Sequence, residues 1–212
     1  MQKLWGDIKN WLRPPPITDF ATLEKFIVER ASYVAQKCAV NYCRGKTGQA
    51  SHTLFKEKVF IDALTVCRWE SFIAILGDLL IALENHLREK LPPHARDAAT
   101  QQIAAMFGRA LDGLPLPDYR PEGWAKEREE FLRRFAKTCA EPVRPVPTIF
   151  QNSAQRLFDT LPIHPRMRAH DTEAVFGAVR FHSVGVFDEL TTRARFDSIL
   201  RSWPGIAPSG AA

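Results

Sequence analysis

The sequence predicts an all-α protein, a multi-helix bundle with short connections, preceded by a short N-terminal amphipathic helix and a proline spacer. Three observations carry that expectation. Apolar residues recur at steps of three and four almost throughout. No stretch shows the apolar–polar alternation of a half-buried strand. The prolines gather between the periodic stretches, at Pro92-Pro93, Pro115/Pro117/Pro121 and Pro142/Pro145/Pro147. At 212 residues the chain fits one domain that buries roughly 70% of its unfolded surface, enough to be stable without disulfide or metal. A hydrophobic content of 45% against 25% charged residues excludes global disorder.

The first segment, 1–12, puts Met1, Leu4, Trp5, Ile8, Trp11 and Leu12 on one helical stripe, with Gln2, Lys3, Asp7, Lys9 and Asn10 opposite. Arg13 closes it. Pro14-Pro15-Pro16 end it, because proline lacks the amide donor and clashes with the preceding turn. Residues 14–17 then read as an extended spacer. Thr18 or Asp19 caps a helix with the stripe Phe20, Leu23, Ile27, Val34 and Cys38; Gly45 is the expected stop, and GKTGQAS the expected flexible loop. GKT here is no phosphate loop: position 40 is valine where that motif needs glycine, and a helix precedes it instead of a strand.

Residues 54–91 make the next helical region, expected to hold a break or kink. Its first part carries Phe60, Leu64 and Cys67; its second carries Trp69, Phe72, Ile73, Leu76, Leu80 and Leu83. Gly77 weakens the helix but lets another approach closely, and Lys90 suits a helix C-terminus. The apolar run 72–83 is far shorter than the about 20 residues that span a bilayer, and Asp78 interrupts it, so it reads as a buried central helix. Further helices are expected over 95–111, 122–140, 148–161, 171–190 and 194–203. On 122–140, Trp124, Phe131, Phe135 and Cys139 face a core, while Lys126, Glu127, Glu130, Arg133, Arg134 and Lys137 face solvent. The division is therefore 1–13 amphipathic helix, 14–17 spacer, 18–203 helical domain and 204–212 flexible tail.

Chemistry is sparsely marked. Cys38, Cys43, Cys67 and Cys139 form no C-x-x-C and follow no export signal, so they are expected as reduced, core-filling thiols. No zinc-protease, di-iron, dinucleotide or nucleophile-elbow motif occurs; no metal, cofactor or catalytic residue is assigned. His182 shares a helical face with Val175, Val179 and Val186, and Asp78 sits in the apolar run; these two are the candidate ligand-binding residues. Asp62 and Glu70 also lie near apolar faces, where a carboxylate needs a partner, and Arg68 and Arg180 are the candidates. Asp171 is read as a helix cap, with Glu173 in the first turn.

A net charge of +5 favours an acidic partner: anionic lipid, an acidic protein or nucleic acid. Nucleic acid is the weakest of these. No pair of short helices forms a reader motif, and the basic residues of 128–137 are interleaved with acids. The expectation is a cytoplasmic protein attached peripherally to the inner membrane, acting by binding as an assembly factor, adaptor or lipophilic-ligand binder. Leu4, Trp5, Ile8, Trp11 and Leu12 would enter the interface; Lys3, Lys9 and Arg13 would face anionic lipid. The alternatives are a soluble helical enzyme or ligand-binding protein with a pocket near His182, and a nucleic-acid-binding regulator.

Overall fold

The structure is a computed structural model that describes residues 14–203. The membrane-binding candidates Leu4, Trp5, Ile8, Trp11, Leu12, Lys3, Lys9 and Arg13 lie outside those residues, as does the tail 204–212. The described chain is an all-α bundle, as the periodicity implies.

Helix α1 (Phe20–Thr47) starts at a capping box: the Asp19 side chain accepts from Thr22 N at 2.9 Å, and Thr22 Oγ1 accepts from Asp19 N. It ends at Gly48, not at Gly45, because only Gly48 takes a positive φ (52°) while its N–H bonds Arg44 O. In place of the expected flexible loop stand a 3₁₀ turn (Gly48–Ala50) and the one-turn helix α2 (Ser51–Leu54).

Helix α3 (Lys58–Lys90) runs 33 residues without a break. The expected break is absent, no proline interrupts the helix, and the change of stripe has another cause. From Glu70 to Asn85 every residue is buried, so the helix has no solvent face there to keep in phase. Helices α4 (Pro93–Asp112), α5 (Ala125–Ala140), α6 (Gln151–Thr160) and α8 (Thr172–Arg193) pack round it together with α1. Short pieces α7 (Pro165–Arg168) and α9 (Phe196–Arg201) complete the body. Cys38, Cys43 and Cys67 are buried and free, and burial pushes the Cys38 and Cys43 thiols up to about 12, as inert core groups require.

Asp171 does not cap α8 with its side chain. Its carboxylate instead takes the Tyr42 hydroxyl at 2.7 Å and Lys46 Nζ at 2.6 Å, which tie α8 to the end of α1 and hold it below the usual carboxylate range. At the other end of the body, Ile17 is buried and forms a parallel bridge with Ala194. Ile17 N donates to Arg193 O at 3.0 Å, and Arg195 N donates to Ile17 O at 2.9 Å.

His86, on the last turns of α3, is half-buried against Phe187 of α8 and Phe196 of α9, at ring distances of 5.6 and 5.2 Å. Burial lowers its pKa below the ordinary 6.5, and Lys90 adds to the effect. The unfolded chain therefore takes this proton more readily than the folded one. His86 leaves stability intact above pH 6.5 and removes it as pH falls below that value. The urea midpoint should fall between about pH 7.5 and 5.5, and fall less in His86→Gln, when the two proteins are titrated in parallel.

Candidate functional site

The most apolar helix of the protein carries three buried carboxylates, Glu70, Asp78 and Glu84, each at most 5% exposed. Burial of a charge at that depth demands partners, and each carboxylate obtains arginine.

Asp78 is completely buried. One residue before it, Gly77 leaves space: a Cβ there would stand 2.8 Å from Arg134 Nη2 and 3.1 Å from the Phe131 ring. Arg134 of α5 thus lies across α3 and pairs with Asp78 Oδ1. Asp78 Oδ2 accepts the backbone N–H of Ser153 at 2.9 Å, in the first turn of α6. Phe150, at the cap position of α6, has no side chain to do this, so Asp78 caps the helix from another element. Burial pushes the Asp78 carboxyl up, while Arg134 and the Ser153 donor pull the other way.

Two turns earlier, Arg120 forks between two buried carboxylates. Its Nη2 meets Glu70 Oε1 at 2.6 Å, and its Nη1 meets Glu127 Oε1. Its plane lies over the Trp124 ring, 4.8 Å from the centroid. Arg156 of α6 pairs with Glu70 Oε2, and the Tyr119 hydroxyl donates to Glu70 Oε1 at 3.2 Å. Beyond Asp78, Arg88 pairs with Glu84 and donates to the carbonyls of Cys139 (2.6 Å) and Glu141 (2.8 Å), so it closes the C-terminus of α5. Burial raises the Glu84 carboxyl.

Around Asp78, Glu70 and Glu127 the three carboxylates face three guanidiniums, those of Arg134, Arg120 and Arg156, so the cluster is charge-balanced. A cleft lined by Glu70, Glu127, Arg134 and Arg156 of this cluster, with Glu130, Phe107 and Phe131, holds about 70 Å³. That volume admits a few waters and is far below the size of a small-molecule pocket. The arrangement is chemically a clamp: it fixes α3, α5, α6 and the loop at 119–120 in one register.

The sequence candidates separate. Asp78 belongs to the clamp. His182 is half-buried at the border of an open groove of about 620 Å³ on α8, with Arg30 and Tyr33 of α1 beside it; burial lowers its pKa, and Lys37 lowers it further. The two share no cavity. Neither anticipated arginine pairs with a core carboxylate: Arg68 donates to Gln36 at 2.8 Å, and Arg180 stands exposed. Asp62 is exposed and pairs with Lys58 one turn away. Glu127 and Arg134, read as solvent-facing, are a buried and a half-buried member of the clamp. A signal for Glu127 exists, since it stands one turn before Phe131 on the core stripe. Among the described residues no group of three or more metal-ligating side chains forms.

No protein-family model, no curated protein and no solved structure matches this chain.

Removing the Asp78 counter-ion by Arg134→Met should cost about 3–5 kcal/mol, because it strands a buried carboxylate. Gly77→Ala should cost about 1–3 kcal/mol by pushing Arg134 and Phe131 away. Both are read as urea-unfolding free energies.

Proposed function

We propose that the protein acts by binding, held peripherally on an anionic membrane surface by residues 1–13, as an assembly factor, adaptor or lipophilic-ligand binder. The observation that carries this is the stripe Leu4, Trp5, Ile8, Trp11 and Leu12, with Lys3, Lys9 and Arg13 beside it and three prolines after it. A helix of about 12 residues is roughly 18 Å long, too short to cross a bilayer and too short to be stable alone in water. A headgroup region offers its apolar side a surface, its indoles a polar–apolar boundary and its cations a field.

The body supports this reading by the way it holds the spacer. Arg193 donates from Nε and Nη2 to Pro15 O at 3.1 and 3.0 Å, and Ile17 is locked two residues later. Whatever precedes Pro14 is therefore tethered at one fixed point of the bundle. Among the described residues no helix is long and apolar enough to cross a membrane. A pocket reading centred on His182 has the α8 groove in its favour. That groove, however, presents Phe181 outward at 74% exposure, which suits a docking face better than an enclosed ligand.

The full chain should co-sediment with vesicles containing anionic lipid, and lose most of that binding in Trp5→Glu/Trp11→Glu. Added salt should weaken it as the cationic contribution is screened. Equal pelleting of both proteins, or pelleting of neither, removes the membrane reading.

A further inference from the structure

Helix α8 carries an outward stripe of six small or apolar residues, Ala174, Gly177, Ala178, Phe181, Val184 and Gly185, which ends at Asp188. All are exposed or half-exposed, and Gly177, Phe181, Val184 and Gly185 line the groove of about 620 Å³. The glycines on this face differ in kind from Gly77. A Cβ at Gly77 would collide with the protein's own Arg134, whereas a Cβ at Gly177 or Gly185 would meet nothing within 4 Å. The fold itself does not require glycine at either position, and glycine weakens a helix interior relative to alanine. Two glycines that flank one protruding phenylalanine at steps of four are explained by something that approaches from outside.

We infer that α8 is the contact face of a twofold-symmetric dimer, with a second copy of this chain as the occupant. The stripe carries both the knob and the hole. Place two copies of α8 antiparallel with the axis level with residue 183. Phe181 and Gly185 each stand two residues from that level, so Phe181 of each copy meets Gly185 of the other at the same height. Arg180 then comes to within about 3 Å of the height of Asp188 on the second copy. At 100° per residue, both lie on the same side of the line through Phe181, so they face each other across the seam. Both are exposed, and neither has an ion-pair partner among the described residues. The arrangement repeats by symmetry, which gives two such pairs. Close helix approach at glycine, a large aromatic anchor and a charged rim are the parts of a self-complementary interface.

The test uses the full chain in lipid-free buffer, by sedimentation velocity across a concentration series. The wild-type protein should dimerise. Arg180→Asp and Asp188→Arg should each raise the dissociation constant by at least about tenfold, and Arg180→Asp/Asp188→Arg should recover most of that loss, because the charges are exchanged across the axis. Gly185→Leu should give a monomer that melts no lower than the wild-type chain under monomeric conditions, since a Cβ at this position meets nothing within 4 Å inside the subunit and the larger side chain fills the hole. A wild-type protein that stays monomeric at about 100 µM overturns the inference. So does a dimer indifferent to the charge reversals, or a monomer whose vesicle binding depends on Phe181. Because self-association is read without lipid, and Trp5→Glu/Trp11→Glu leaves α8 untouched, failure here and failure of the membrane reading are separate results.

Discussion

One carboxylate organises this bundle. Asp78 sits in the middle of its most apolar helix and is wholly buried, yet each of its oxygens is engaged by a different element: Oδ1 by Arg134 of α5, Oδ2 by the first turn of α6. A buried ion pair contributes little to stability when compared with a well-packed apolar substitute. Its value here is in register. An apolar helix of 33 residues, buried all round over its middle, could slide or rotate against its neighbours at small cost in burial. A charge that needs one guanidinium and one particular backbone N–H admits a single alignment.

The same logic repeats at intervals along α3. Glu70 is met by arginines from two directions, and Arg88, paired with Glu84, closes the end of α5 through its last carbonyls. Arginine suits this work because its planar fork satisfies two acceptors at once, and its face lies on an aromatic ring, as Arg120 does on Trp124. Gly77 belongs to the same device, since the guanidinium crosses the helix only where no side chain stands. The ionic groups concentrated here are engaged in holding one helix to the next.

The helices were legible in the sequence because an apolar face leaves a period, and Asp19, Pro93 and the prolines at 142–147 mark their ends chemically. The misreadings have physical causes. Gly45 resembled a stop, but only Gly48 has the positive φ that ends α1. The stripe change near residue 69 resembled a kink because periodicity reports a helix with one wet face, and α3 has none there. The clamp was illegible for a different reason. Asp78 and Arg134 are 56 positions apart; the helical wheel sets Arg134, one turn after Phe131, apart from Arg133, which stays exposed, but it does not say which carboxylate Arg134 meets. That a core carboxylate must find a cation was readable; which cation is set by how α5 lies against Gly77.

The bridge between Ile17 and Ala194 also governs how the body responds to load. Residue 20 and residue 203 lie side by side, with the Phe20 and Trp203 rings 5.0 Å apart and Ser202 Oγ accepting from Phe20 N. The described chain therefore leaves and returns at one pole. A force applied between residues 14 and 203 falls first on contacts at this one pole: the Arg193 bonds to Pro15 on one side and the packing of Trp203 on Phe20 on the other.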